Sequence, residues 1–237
     1  MSESAAFEIL AIGAHPDDVE VGVGGLVAKL TRAGKRVAIL DLTEGERGSR
    51  GTVEERRIEA EKASKILGVA HRFSARLPDG GIANIDAMRR EIVEVVRALR
   101  PAVLIAPMHT DRHPDHDAAH YLVRDANYLA GLQKFEGAHA PHRAGQVYYY
   151  RVYGDWTPPS AVIDVSETFE IKQAALRAYA SQFFNPEYEG TETYVSSEAF
   201  WNGIVTRAAY WGSRIGCTYG EPVYTDGPIG LATLPGL

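Results

Sequence analysis

The sequence contains one cysteine, Cys217, among its 237 residues. A single thiol can close no intramolecular disulfide and cannot supply the thiolate cluster of a structural zinc site. Long apolar runs are also missing, since none approaches the roughly 18 residues that a membrane-spanning helix requires. These absences exclude a disulfide-stabilised small domain and a transmembrane helix.

The chain is short of positive charge, with 25 Lys and Arg against 31 Asp and Glu and a formal net charge of −6. A broad basic face, the usual means of binding nucleic acid, is therefore not expected. No basic segment precedes the first apolar run, which argues against a secretory signal. We predict a cytoplasmic protein with neither nucleic acid nor membrane as a partner.

Short apolar runs alternate with helical patterns along the chain. We predict strands at residues 7–14, 36–42, 71–75, 102–107, 146–152 and 161–165. We predict helices at residues 19–33, 52–67, 87–99, 114–131, 166–180 and 198–215, with Thr52 and Ser166 as N-caps, before a Pro- and Gly-rich tail. This order predicts an α/β fold, a three-layer α/β/α sandwich with a Rossmann-like, mostly parallel sheet, and one domain over residues 1–237.

The first motif, His-Pro-Asp-Asp at residues 15–18, follows the first predicted strand. Adjacent loop residues point in different directions, so Asp18 could bind a metal while Asp17 faces the water on that metal. The alternative is structural, because Asp is a preferred N-cap of a helix. The motif alone leaves both interpretations open.

The second motif, His-Pro-Asp-His at residues 113–116, follows the fourth predicted strand. Pro114 suits the first helical position, which makes His113 the N-cap and puts His116 in the first turn. The carboxyl ends of strands in an α/β sheet face one crevice, so we expect the two motifs to converge there. Imidazole and carboxylate groups together are the ligand set of a catalytic zinc that keeps one position open.

Weaker signals point elsewhere. His120 is spaced four residues from His116, as in a metal pair, but it lies deeper in the predicted helix. The histidines without carboxylate-rich neighbours are expected at the surface; they are His71, His109, His139 and His142. Three glycines, Gly22, Gly24 and Gly25, suggest a nucleotide-binding loop and therefore a nicotinamide-dependent oxidoreductase. Their spacing differs from that of the phosphate-binding fingerprint.

The motifs resemble those of the zinc-dependent N-acetylglucosaminyl deacetylase family of LmbE-like and PIG-L proteins. The resemblance rests on residues 14–20 (AHPDDVE) and on Pro107 followed by residues 111–116 (DRHPDH). Further similar segments lie at residues 42–44, 51–56, 77–79, 141–143 and 179–183, so the resemblance covers nearly the whole chain. These segments are most similar to the bacillithiol-biosynthesis branch, which removes acetyl from N-acetylglucosaminyl malate. One departure is Gly80, where relatives often carry a basic residue.

The resemblance implies a role for each motif residue. It assigns one zinc ion per chain to His15, Asp18 and His116. Asp17 would act as the general base and then protonate the departing amine. His113 would donate to the oxyanion, and Asp115 is a candidate to orient the ring of His113. A carboxylate favoured by the helix dipole is the alternative for Asp115.

The substrate expectation depends on arginines, which bind carboxylates through two parallel hydrogen bonds. A malate aglycone would be bound by Arg56, Arg112 and Arg143, with weaker candidates Arg47 and Arg50. Glu44 would accept hydrogen bonds from sugar hydroxyls. Two alternatives remain: a general N-acetyl sugar or chito-oligosaccharide deacetylase, and a non-catalytic sugar-binding protein that keeps a metal site.

A homo-oligomer is expected, with a hexamer among the forms that the family resemblance implies. The last predicted helix carries apolar aromatics that could form a subunit contact, namely Trp201, Tyr210 and Trp211. Packing of these side chains into the core of their own chain is the alternative.

Overall fold

The computed structural model describes residues 7–153 and 157–230. Five parallel strands form the central sheet in the order β3-β2-β1-β4-β5. They are β1 Ile9–Gly13, β2 Val37–Asp41, β3 His71–Ser74, β4 Val103–Pro107 and β5 Gln146–Tyr150. Every residue of β1 and β2 is buried, as expected for strands covered on both faces. β1 and β4 are neighbours, so the two motifs that follow them meet at one edge of the sheet.

The described residues form six helices: α1 Asp18–Arg32, α2 Val53–Leu67, α3 Asp86–Leu99, α4 Pro114–Ala130, α5 Phe169–Arg177 and α6 Glu198–Ile215. Side chains alternate along β1, so that Leu10 and Ile12 enter the core formed with α3 and α4. Ile9 and Ala11 enter the opposite core, formed with α1, α2 and α5. The predicted three-layer α/β sandwich is confirmed. Among the described residues, no helix is both long and apolar enough to cross a bilayer.

Local capping signals set several helix ends. Thr52 and Glu55 form the predicted capping box of α2, and Gly68 ends that helix in the left-handed conformation. The predicted cap at Ser166 is wrong: α5 begins at Phe169, with Thr168 as N-cap. The hydroxyl of Ser166 instead donates to Asp164 and accepts the backbone N–H of Tyr219. Ser166 therefore joins two segments of the chain rather than starting a helix.

The predicted C-terminal tail contains a strand. β7, Gly220–Val223, pairs antiparallel with β6, Ala161–Asp164, in a separate two-stranded sheet. Tyr224 continues from β7 and forms an isolated bridge with Tyr149 of the main sheet. Four residues that include Gly and Pro have no apolar alternation, so the sequence pattern did not reveal this strand.

The glycines of α1 serve close packing. A Cβ atom on Gly22 would lie 2.0 Å from the ring of Tyr150, and one on Gly25 would lie 2.9 Å from Val165. The backbone N–H of Gly25 donates to the buried carboxylate of Glu221. These residues lie within the helix and form no phosphate-binding loop, so the structure does not support the nucleotide-site interpretation.

Candidate metal and active site

The turn between β1 and α1 holds the first motif. Asp17 occupies the N-cap position of α1 with a φ of 111°, a left-handed conformation that is strained for a residue other than glycine. Its side chain caps no helix N–H. Capping therefore does not explain this aspartate, and its carboxylate is available for another role.

Asp18 lies between two histidines from different motifs. Its Oδ1 is 3.1 Å from Nε2 of His116, and its Oδ2 is 3.4 Å from Nδ1 of His15. The backbone N–H of His15 also donates to Oδ2 at 2.8 Å. The structure thus brings the three predicted ligands together, all of them buried.

The second nitrogen of each of these rings faces a carboxylate. Nε2 of His15 lies 3.2 Å from Asp79 and 3.3 Å from Asp115. Nδ1 of His116 lies 3.2 Å from Asp111. A carboxylate behind a histidine fixes the tautomer and orientation of the ring and is typical of metal-ligating histidines.

The electrostatics of this cluster favour a positive charge. Burial opposes protonation of His15, but Asp115, Asp18 and Asp79 outweigh it and raise its pKa to about 12. Burial likewise opposes protonation of His116, whereas Asp18 and Asp111 raise its pKa to about 9. Surroundings that stabilise a buried cation, with two imidazoles and a carboxylate as donors, fit the ligand set of a divalent metal.

His113 stands beside this set. Its ring centroid is 4.6 Å from that of His15 and 5.0 Å from that of His116, and the three rings offer ligand atoms within 4.8 Å of one another. Nδ1 of His113 accepts the backbone N–H of Asp115 at 3.2 Å. In the neutral ring the proton is therefore on Nε2, which makes this atom a hydrogen-bond donor. Burial, together with His15 and His116, lowers the pKa of His113 and favours the neutral form.

Asp17 is held by an arginine from α2. Nη2 of Arg56 lies 3.3 Å from Asp17 Oδ2 and donates to the carbonyl of Pro16 at 2.8 Å, while Nη1 donates to the carbonyl of Gly45. Burial raises the pKa of Asp17 to about 7, against the opposing charge of Arg56. Arg56 is buried and was expected to bind substrate; its guanidinium supports the turn that carries Asp17, and the residue also lines the cavity above the ligands.

Asp115 contacts two of the motif histidines. Its carboxylate contacts His15 and accepts the backbone N–H groups of Gly80 at 2.7 Å and Ile82 at 3.3 Å. The backbone N–H of Asp115 donates to Nδ1 of His113, so Asp115 orients the His113 ring through its main chain, while its carboxylate contacts His15. Gly80 has a φ of +69°, which favours glycine at the position where relatives often carry a basic residue.

A cavity of about 320 Å³ opens above these residues. Its polar side includes His15, Asp17, Asp18 and His113, and the exposed Arg47 also lines it. Its apolar lining includes Val21, Tyr153, Phe183, Val195 and Phe200. A polar, acidic floor and an apolar wall are the features of a small-molecule site.

The other predicted substrate residues lie in different places. The guanidinium of Arg112 stacks on Tyr153 at 5.0 Å and on Tyr194 at 4.2 Å, beside the cavity. Arg143 stacks on Tyr128, donates to its carbonyl and lines a separate cavity. Glu44 pairs with Arg76 and lines a third cavity. Arg143 and Glu44 are therefore not part of the site that contains His15.

Arg50, a weaker substrate candidate, lines the cavity, but it is buried and its guanidinium donates to the carbonyls of Ser181 and Thr191. Two further residues, Asp79 and Asp111, contact the histidine rings, a role that the sequence patterns did not predict. Asp79 follows Pro78 in a segment already noted for its family resemblance, and Asp111 stands two residues before His113. Of the histidines expected at the surface, His71 and His139 are exposed, whereas His109 and His142 are half-buried.

The chain is similar to known proteins in both sequence and structure. The sequence model of the PIG-L family, described as GlcNAc-PI de-N-acetylase, matches residues 10–127. A diacetylchitobiose deacetylase from Thermococcus kodakarensis is 33% identical over 91% of this chain and 82% of its own. A 1D-myo-inositol 2-acetamido-2-deoxy-alpha-D-glucopyranoside deacetylase from Streptomyces griseus is 30% identical over 64% of this chain and 58% of its own. The crystal structure of a conserved protein from Thermus thermophilus is similar with a TM-score of 0.88 and 35% identity, over 98% of this chain and 99% of that one.

Proposed function

The chain belongs to the PIG-L family of de-N-acetylases, and we propose that it uses one zinc ion to hydrolyse the acetamide of an N-acetylglucosaminyl conjugate. The observation that carries this proposal is the position of Asp18, 3.1 Å from Nε2 of His116 and 3.4 Å from Nδ1 of His15. Two imidazoles and a carboxylate leave a coordination position open, as in catalytic zinc sites. Residues 1–237 would form a single deacetylase domain.

When bound, zinc would supply a water that ionises near neutral pH and would polarise the acetyl carbonyl. Asp17 faces the cavity beside the ligands, so we assign it the role of general base, which takes a proton from the attacking water and returns it to the departing amine. His113 also lines the cavity, and its Nε2–H would donate to the carbonyl oxygen as that oxygen becomes negative. Acetate and the free amino sugar are the products.

For the aglycone we propose malate. Among the described residues, the guanidinium groups of Arg47 and Arg112 form no ion pair with a carboxylate, although the chain is acidic. Arg47 lines the cavity, and Arg112 stacks on Tyr153 at its side. These two arginines, rather than Arg56 and Arg143, would bind the two carboxylates of malate. Each aligned charged contact contributes about 1.5–3 kcal/mol.

A neutral chito-oligosaccharide is the second candidate. The aromatic wall of Tyr153, Phe183 and Phe200 offers flat apolar surface to a second sugar ring. The relative from Thermococcus kodakarensis is named a diacetylchitobiose deacetylase. This candidate requires no charged contact to the aglycone.

Kinetics on three compounds separates these candidates. The zinc-loaded enzyme is assayed for release of acetate from N-acetylglucosaminyl malate, diacetylchitobiose and N-acetylglucosamine, with His116→Ala as the inactive control. We expect a kcat/KM for the malate conjugate at least about 100-fold above that for the free sugar, from two charged contacts. Preference for diacetylchitobiose would replace the malate proposal by the second candidate. Zinc binding without turnover of any of the three would indicate a non-catalytic sugar-binding protein.

The homo-oligomer stays a prediction. Trp201 packs partly against the core that contains α1 and stacks with Arg177, whereas Tyr210 is 54% exposed. Tyr210, the exposed member of these three aromatic residues, is therefore available for a subunit contact, and its ring packs edge-on against that of Trp211. Light scattering at micromolar concentration measures the mass; a value near the 25.9 kDa of one chain would contradict the prediction.

A further inference from the structure

A second group of potential metal ligands lies outside the cavity that contains His15. His120, one helical turn beyond His116 on α4, is only 1% exposed. Its Nδ1 is buried, and the backbone of Pro107 interacts with the ring. Nε2 is the ring nitrogen that faces Asp226.

Two ligand groups from other segments face His120. The ring of His109, which follows β4, packs edge-on against it with centroids 4.7 Å apart. Oδ1 of Asp226, which follows β7, lies 3.7 Å from Nε2 of His120. The three side chains offer one ligand atom each within 4.8 Å of one another.

Both partners are already oriented by neighbours. Nδ1 of His109 lies 2.7 Å from the hydroxyl of Thr110, which leaves Nε2 as the free ring nitrogen. The hydroxyl of Tyr149 donates to Oδ2 of Asp226 at 2.9 Å, so that Oδ1 is the oxygen directed to His120. Contacts of this kind behind the ligands are characteristic of metal sites.

We propose that His109, His120 and Asp226 form a second metal site, which binds zinc or a similar transition metal through two imidazole nitrogens and one carboxylate oxygen. This mixed nitrogen and oxygen set suits zinc, cobalt or nickel better than calcium or magnesium, which prefer oxygen ligands alone. Arg124 is the nearby cation, and its guanidinium is engaged by the carboxylate of Asp125. Asp125 and, to a smaller extent, Asp226 raise the pKa of Arg124.

Such a site would connect two neighbouring segments, the loop after β4 and helix α4, with the segment after β7. His109 follows the fourth strand, His120 belongs to α4, and Asp226 belongs to the segment after the small sheet. That segment is already anchored by backbone hydrogen bonds between Tyr149 and Tyr224. A metal bound there would be a structural cross-link, separate from the proposed catalytic zinc.

The test counts metal ions. The metal-free protein is titrated with Zn²⁺ against a chromophoric chelator, with no substrate present. We expect two equivalents for the natural sequence and one each for His109→Ala, Asp226→Asn and the conservative His120→Gln. The matched control His139→Ala, at an exposed histidine, retains two. One equivalent for the natural sequence, or two for His109→Ala and Asp226→Asn, overturns the proposal.

Two further readouts separate this site from the catalytic one. His116→Ala should keep one equivalent, and the visible spectrum of its Co²⁺ complex should be lost in His116→Ala/His109→Ala. His109→Ala and Asp226→Asn should retain deacetylase activity within about twofold while losing the second equivalent. A Co²⁺ spectrum that is unchanged in the double variant would contradict the proposal. Absence of deacetylase activity in the natural sequence would contradict only the proposed function.

Discussion

Nε2 of His15 lies 3.3 Å from a carboxylate oxygen of Asp115, although the two residues come from different strand–helix units. The same carboxylate is held by the backbone N–H groups of Gly80 and Ile82. The turn after β3 therefore fixes Asp115, and Asp115 fixes the ring that we assign as a zinc ligand. Asp115 lies in the first turn of α4, directly after β4. Because β4 is adjacent to β1, this position places its carboxylate beside His15, which follows β1.

We expect Asp115→Asn to weaken zinc binding about 10- to 100-fold, since a neutral amide is a weaker partner for the His15 ring. Competition with a chelator measures the affinity. Asp86→Asn, at the exposed first turn of α3, is the matched control and should leave the affinity unchanged. An unchanged affinity in Asp115→Asn would show that the helix dipole alone explains this carboxylate.

The two adjacent aspartates should separate binding from chemistry. Asp17→Asn should retain zinc and slow kcat by roughly 10²- to 10⁴-fold, because a general base is lost. Asp18→Asn should lose the zinc of the proposed catalytic site, as should His116→Ala, and each should keep only the equivalent proposed for His109, His120 and Asp226. Metal analysis after desalting, together with steady-state kinetics, gives both quantities. If the zinc of the proposed catalytic site were retained in Asp18→Asn and lost in Asp17→Asn, Asp17 would be the ligand and Asp18 the general base.

Arg56 and Arg112 should affect different kinetic constants. Arg56→Ala removes the donors to Asp17 and to the carbonyls of Pro16 and Gly45, so kcat should fall on every substrate. Arg112→Ala should raise KM for N-acetylglucosaminyl malate about tenfold or more and leave N-acetylglucosamine unaffected. If Arg112→Ala raised KM equally for both substrates, Arg112 would not be a malate-binding residue.

Breaking the buried ion pair that joins α5 to β7 should lower the free energy of unfolding. Nζ of Lys172 lies 2.5 Å from Oε1 of Glu221, whose carboxylate also accepts the backbone N–H groups of Gly25 and Leu26. Lys172→Met would leave this carboxylate buried without its countercharge, so the free energy of unfolding should fall by about 3–5 kcal/mol.

Urea denaturation measures this effect. The matched control is Arg57→Met, which breaks an ion pair with Glu54 between exposed side chains. Surface pairs contribute at most about 1 kcal/mol, so the control should be close to the natural sequence. Similar losses in the two variants would mean that burial does not distinguish these pairs.

Local sequence patterns specify the architecture and the composition of the motif clusters. Alternating apolar runs and helical patterns predict six strands and six helices, because strand and helix periods differ and each is set locally. Five of these strands form the parallel sheet, and the sixth, β6, pairs antiparallel with β7. The capping box at Thr52 and the Pro114 start of α4 were readable for the same reason: each depends on neighbours within four residues. The two-motif cluster followed from one topological rule, that the carboxyl ends of parallel strands share an edge.

The side chains that face one another across that edge could be assigned only from the folded chain. The carboxylate of Asp115 contacts His15, Arg56 supports Asp17, and Arg143 lies at a different cavity. These positions depend on segments far apart in sequence. The strand β7 also depends on a distant segment, because its pairing partner β6 supplies its hydrogen bonds. The four residues of β7 alone do not predict a strand. Local patterns are encoded by neighbouring residues, whereas the direction of a side chain in a site depends on the packing of the whole chain.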